Sequence, residues 1–205
     1  MQRAILAVLL ALALPACAES FGEPASGFSS GAIAKAYIPL SHRGFLGNVD
    51  AAATQVADGV AATNAHNYEL IVPSHYIGPV NGYDLIFFKS DGPAPPPVAT
   101  PYNGERVRAY GQGIDGELRT AEGSVISVNA TLPPRACAAC APQSAIIYDA
   151  PAGPGFSGGP VIDEKTGALV GITFGYEEKE NGKTMMFAYD VNLVLKELAK
   201  LRGGG

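Results

Sequence analysis

Apolar residues along this chain come in short runs, separated by glycine, proline and asparagine. Runs of that length bounded by turn residues predict β-strands. The pattern places strands at 34–38, 60–63, 69–72, 84–89, 106–110, 124–129, 145–148, 160–163, 169–174 and 185–189. No long helical period alternates with them, so a parallel α/β sheet is not expected. Only the C-terminal end changes period. From Asp190 to Arg202, Val191, Leu193 or Val194, Leu198 and Leu201 recur near one face at helical spacing. Asp190 or Asn192 can cap the start and Gly203 the end. The expectation is an all-β chain followed by one amphipathic helix.

Residues 91–101 break the pattern. They are proline-dense and cannot form a central strand, so they read as a semi-extended linker. The linker separates two β-rich halves, each suited to a small barrel. Residues 20–30 are small and polar and read as a loose lead.

The N-terminus reads as an export signal. Arg3 supplies a positive charge, and residues 4–14 form an unbroken apolar run. That run fits a signal and is too short to span a bilayer. Ala16-Cys17-Ala18 offers a small-x-small cleavage site, giving a secreted or periplasmic chain that starts at Glu19. Leu14-Pro15-Ala16-Cys17 also resembles the lipobox of bacterial lipoproteins, which would anchor the chain through Cys17. Both readings stand. The expected organisation is a signal peptide at 1–18, a flexible lead at 19–34, a first barrel at 35–98, and a second barrel with the helix at 99–205.

Charge and cysteine content narrow the partners. The net charge is −5 at pH 7, which argues against nucleic-acid binding. No later run is apolar for the ~18 residues a membrane span needs. Of the three cysteines, Cys137 and Cys140 form a Cys-x-x-Cys pair. Zinc would need two further ligands of suitable spacing, and a redox motif would need a βαβ context. A local disulfide in a surface loop is the favoured reading for an exported chain. No metal or cofactor is expected.

The chemistry centres on Gly-Pro-Gly-Phe-Ser-Gly-Gly-Pro-Val, residues 153–161. Ser157 lies among Gly155, Gly158 and Gly159, which let the backbone turn tightly and bring N–H groups together. That suits a nucleophile beside an oxyanion hole; a glycine-rich hairpin with an incidental serine is the plainer alternative. Gly155-Phe156-Ser157-Gly158-Gly159 also fits the elbow of α/β-hydrolases, whose histidine follows the serine. Here all three histidines, His42, His66 and His75, precede it, so that reading fails. His66, at the end of an apolar run with small neighbours, is the best base. His42 and His75 read as loop residues. Asp84, at the head of Asp-Leu-Ile-Phe-Phe-Lys, is the best carboxylate to orient it, ahead of Asp58 and Asp91.

Thr63-Asn64-Ala65-His66, Tyr83-Asp84-Leu85-Ile86 and Gly155-Phe156-Ser157-Gly158-Gly159-Pro160-Val161 resemble the His, Asp and Ser motifs of trypsin-like (chymotrypsin-fold) serine proteases. The resemblance is to the bacterial, HtrA-type protease domain and covers about residues 35–200. It implies two six-stranded antiparallel β-barrels with a C-terminal helix. It implies His66 as general base, Asp84 as its orienting carboxylate and Ser157 as nucleophile, with an oxyanion hole from the Gly155 and Ser157 N–H groups. Thr173, Phe174 and Gly175 resemble the strand that pairs with substrate. Phe156 stands where animal trypsins carry an aspartate, so activation by N-terminal insertion against that acid is not expected. Pro151 stands near their specificity acid, so a small or medium apolar side chain is expected in place of Lys or Arg. No PDZ module is expected after the helix. The implied activity is an exported serine endopeptidase acting on protein or peptide through an acyl-enzyme, without cofactors. The alternative is a catalytically silent binding protein or surface lipoprotein on the same fold.

Overall fold

The computed structural model describes residues 21–25, 32–44, 47–132 and 143–203. Cys17, Cys137 and Cys140, with the leader and the disulfide expectation, lie outside the described residues.

The strands are β1 Glu23–Pro24, β2 Tyr37–Gly44, β3 Gly47–Ala57, β4 Val60–Thr63, β5 Tyr76–Pro79, β6 Ile86–Lys89, β7 Arg106–Gln112, β8 Leu118–Leu132, β9 Gln143–Asp149, β10 Pro160–Asp163, β11 Leu169–Glu178 and β12 Thr184–Asp190. A short helix, α1 (Ala32–Ala36), precedes β2, and α2 (Val191–Gly203) ends the described chain. The Asp190 carboxylate accepts the Asn192 N–H at 2.8 Å and so caps α2. Val191, Val194 and Leu198 are buried, whereas Leu201 is exposed.

β8 organises the second half. One edge pairs with β7, and the other pairs with β1 at Arg119–Thr120 and with β9 from Ser124 onward. The β8–β9 pairing closes β8-β7-β10-β11-β12-β9 into a six-stranded antiparallel barrel. Phe156, Tyr148, Val161 and Met186 lie in its core.

The first half departs from expectation. It is a five-stranded sheet, ordered β2-β3-β4-β6-β5, and is not closed by a sixth strand among the described residues. Closure would need a strand joining β5 to β2. The chain between β4 and β5 instead forms two 3-10 helices, Ala65–Leu70 and Pro73–His75. The strand expected at 69–72 is therefore absent, and α1 occupies the first three residues of the one expected at 34–38. β3, unforeseen, carries Ala51-Ala52-Ala53, a poor strand former by propensity but at most 3% exposed here. Burial between neighbouring strands overrides propensity.

A shared core joins the halves. Val60, Leu85 and Phe87 meet Tyr110, Ile162, Ile172 and Tyr189, with Val191, Val194 and Leu198 of α2 alongside. The 91–101 segment is docked rather than free: Leu169 N–H donates to Pro97 O at 2.8 Å and Ala99 N–H to Leu169 O at 3.0 Å. Among the described residues, no helix is long and apolar enough to cross a membrane.

Candidate active site

Where β4 ends, the chain tightens into the 3-10 helix Ala65–Leu70, which carries His66 on its first turn. The first N–H groups of a helix have no partner within it. Here the Asp84 carboxylate takes one: His66 N–H donates to Oδ1 at 3.0 Å, while His66 Nδ1 meets Oδ2 at 2.7 Å. One carboxylate thus fixes both the backbone and the ring of His66. Asp84 lies in the turn before β6 rather than at its head and is buried. The imidazole remains partly open, its side chain 39% exposed.

Asp84 is itself held at its backbone. Its N–H donates to the Tyr189 hydroxyl at 3.0 Å, and its carbonyl accepts from Asn64 Nδ2 at 3.0 Å. Its N–H partner comes from β12 of the barrel and its carbonyl partner from the end of β4. The other sequence candidates lie elsewhere: His42, His75, Asp58 and Asp91 are exposed.

Two consecutive turns present Ser157. Phe156 N–H donates to Gly153 O at 3.2 Å and Gly159 N–H to Phe156 O at 2.9 Å. The third residue of each turn, Gly155 and Gly158, has φ of +89° and +83°. A type II turn requires that conformation at that position, and glycine supplies it without strain. A Cβ on Gly155 would lie 1.9 Å from Gln112 O, and one on Gly159 1.9 Å from Tyr110 O. The loop therefore lies directly against β7. Among the described residues, the N–H groups of Gly155 and Ser157 donate to nothing. Phe156 between them is fully buried in the barrel core.

The serine loop is also bound to the first sheet. Ser157 O accepts Ala52 N–H at 3.0 Å and Asn67 Nδ2 at 3.3 Å, and Gly158 O accepts Thr54 Oγ1 at 2.8 Å. Asn67 follows His66 in the chain, so one side chain joins the histidine turn to the serine turn. No hydrogen bond joins Ser157 Oγ to His66 among the described residues.

β11 lies against the serine loop. Thr173 exchanges both backbone groups with the loop: Gly158 N–H donates to Thr173 O at 2.8 Å, and Thr173 N–H to Gly159 O at 2.9 Å. Its hydroxyl meets the Tyr148 hydroxyl at 2.8 Å, and burial raises the pKa of that phenol, which stays protonated. A bulge falls between Thr173 and Gly175, a common device for re-aiming a strand beside a site. β10 pairs β11 only as far as Ile172. From Phe174 onward, one edge of β11 pairs with no described strand.

Sequence reasoning named His66, Asp84, Ser157, Gly155, Thr173, Phe174 and Gly175, and missed Asn67, Thr54, Ala52 and Tyr189. Asn67 had one available signal, its place beside His66.

The family model described as "Trypsin-like peptidase domain" matches residues 44–172, well over half of the chain. No curated protein matches in sequence. Among solved structures, the HtrA-type protease AlgW with tripeptide aligns at TM-score 0.63 and 20% identity, over 85% of this chain and 62% of that one. The chain thus spans less than two thirds of AlgW. The active form of the Rv3671c protease from M. tuberculosis aligns at TM-score 0.66 and 17% identity, covering 83% and 82%. The MamO protease domain from Magnetospirillum magneticum aligns at 0.61 and 19%, covering 80% and 96%. These likenesses concern the fold. With the family match over the segment from β2 to β11, this chain belongs to the trypsin-like peptidase domain family.

Proposed function

We propose that this chain is an exported serine endopeptidase acting on protein or peptide substrates. The observation that carries the reading is the two-point grip of Asp84 on His66, beside a serine cradled by glycines. Substrate adds a strand to the open edge of β11 from Phe174, with Gly175 in register and Thr173 holding that edge to the serine loop. Ser157 Oγ attacks the scissile carbonyl and His66 Nε2 takes its proton. Asp84 orients the ring and stabilises the imidazolium that forms. The Gly155 and Ser157 N–H groups receive the oxyanion. The proton passes to the leaving amine, and water then releases the acyl group by the same route. The Ser157–His66 bond forms as substrate docks, since such bonds are often long in free enzymes. The apolar leader supports export, with secretion or anchoring through Cys17 as its two forms.

Fluorophosphonate labelling of wild type and of Ser157→Ala tests the reading. The wild type should label and cleave casein, and the variant should do neither. Labelling that survives in Ser157→Ala removes the nucleophile assignment. Correctly folded wild type that leaves casein and a peptide library uncut supports a silent binding protein instead.

A further inference from the structure

The proposed chemistry makes no use of residues 21–25, yet they lie against the loop that performs it. Gly22 N–H donates to Pro151 O at 3.1 Å, and Ala25 N–H to Leu118 O at 3.0 Å. Between them β1 pairs with Arg119 and Thr120 of β8. Gly22 has φ +71° and little room: a Cβ there would lie 2.7 Å from Thr120 O and 2.8 Å from Phe156 Cζ. The Phe21 ring covers Gly153, where a Cβ would lie 2.7 Å from its Cδ1. The same ring tilts against Tyr176 of β11 with centroids 6.1 Å apart. One short segment therefore touches the loop at Pro151, Gly153 and Phe156, and also the open part of β11.

The backbone bonds that the loop makes locally are Ala152 N–H to Ala150 O at 2.8 Å and Phe156 N–H to Gly153 O at 3.2 Å. Pro151 and Pro154 have no N–H to donate. The Pro151 carbonyl is tied by Gly22, and the far end of the loop by Gln112 N–H, which donates to Gly155 O at 2.9 Å. The Gly155 and Ser157 N–H groups can stabilise an oxyanion only from a fixed geometry.

We propose that residues 21–25 are a brace for the 151–156 loop, with Phe21 and Gly22 as positioning residues for the oxyanion site. The proposal rests on the serine-protease reading. Its test compares wild type, Phe21→Ala and Phe21→Leu, with Ser157→Ala as blank. The readouts are kcat and KM on a peptide selected by profiling the wild type, the fluorophosphonate labelling rate and thermal melting.

Phe21→Ala should lower kcat and the labelling rate about 10²-fold, the scale of a small misplacement of reacting groups. KM should stay within about twofold, as for an interaction made only in the transition state. Melting should shift little, and Phe21→Leu should restore most of the rate. Wild-type labelling by Phe21→Ala overturns the brace and leaves the protease reading standing. Loss of the cooperative melt in Phe21→Ala also overturns it, because the segment would then serve the fold as a whole. A wild type that does not label overturns the protease reading itself, and the brace with it.

Discussion

The Tyr189 hydroxyl accepts the Asp84 backbone N–H at 3.0 Å, across the junction between the barrel and the five-stranded sheet. Tyr189 is fully buried on β12. Its ring stacks on Phe174 at 4.3 Å and meets Tyr83 edge-on at 5.7 Å. The acid that grips His66 belongs to one half of the molecule and is positioned by the other. Phe174, beside the β11 bulge, connects the same tyrosine to the edge proposed for substrate.

Tyr189→Phe keeps the ring and removes the acceptor. The Asp84 N–H is then buried without a partner, which costs roughly 1–3 kcal/mol. The variant should melt lower and lose kcat with little change in KM, because Asp84 loses one of its two backbone anchors while the β11 edge survives. A kcat equal to wild type in the folded variant would show that the hydroxyl serves stability alone.

Asn67→Ala and Thr54→Val test how the serine loop is bound to the first sheet. Asn67 Nδ2 donates to Thr63 Oγ1 at 3.0 Å as well as to Ser157 O, and Thr54 Oγ1 bonds Gly158 O. Each substitution should cost roughly 1–3 kcal/mol of stability, because each leaves a buried partner without its hydrogen bond. The fluorophosphonate labelling rate should fall further than that loss accounts for, because both bonds set the serine loop against the histidine turn. Labelling rates unchanged in both variants would rule out that linkage.

Much of the frame was legible in short apolar runs. Val60–Thr63 and Pro160–Asp163 stand where the pattern placed them, and α2 begins at Val191, directly after Asp190, one of the two caps that the sequence offered. β3 was not legible because its alanines carry no strand signal until neighbouring strands bury them. The end of the 3-10 helix that carries His66 was not legible, because Leu70-Ile71-Val72 is an apolar run too short to show its period. His66, Asp84 and Ser157 could be picked out by chain order and neighbouring residues. Tyr189 and Thr54 could not, because their bonds join residues 105 and 104 positions apart. No local pattern encodes such a pairing.

Gly158→Ala and Gly182→Ala separate crowding from backbone strain. Both glycines have positive φ, +83° and +74°. A Cβ on Gly158 would lie 2.1 Å from Ala52 O and 2.2 Å from Thr63 Oγ1, whereas one on Gly182 meets nothing within 4 Å. Gly182→Ala should cost only the left-handed strain of about 1–2 kcal/mol. Gly158→Ala should cost about 3 kcal/mol or more, since overpacking adds its own penalty, and it should abolish labelling. Equal losses in chemical denaturation would show that the two loops yield alike.

Glu105 supplies a pH dependence outside the site. Its carboxyl group is almost fully buried, and Oε2 accepts the Tyr102 N–H at 3.2 Å. Burial raises its pKa most, Asp163 adds to the rise, and the Tyr102 bond partly opposes it. The folded chain therefore binds this proton more readily than the unfolded one. The stabilising contribution is full below the unfolded glutamate pKa of about 4.3, and it is lost as pH rises through the higher folded value. Glu105→Gln keeps an oxygen for the Tyr102 N–H and carries no charge at any pH. It should melt above wild type at pH 7, and the gap should close as pH falls towards 4. A gap that stays constant across that range in paired melts would show that burial of the Glu105 charge is not its cause.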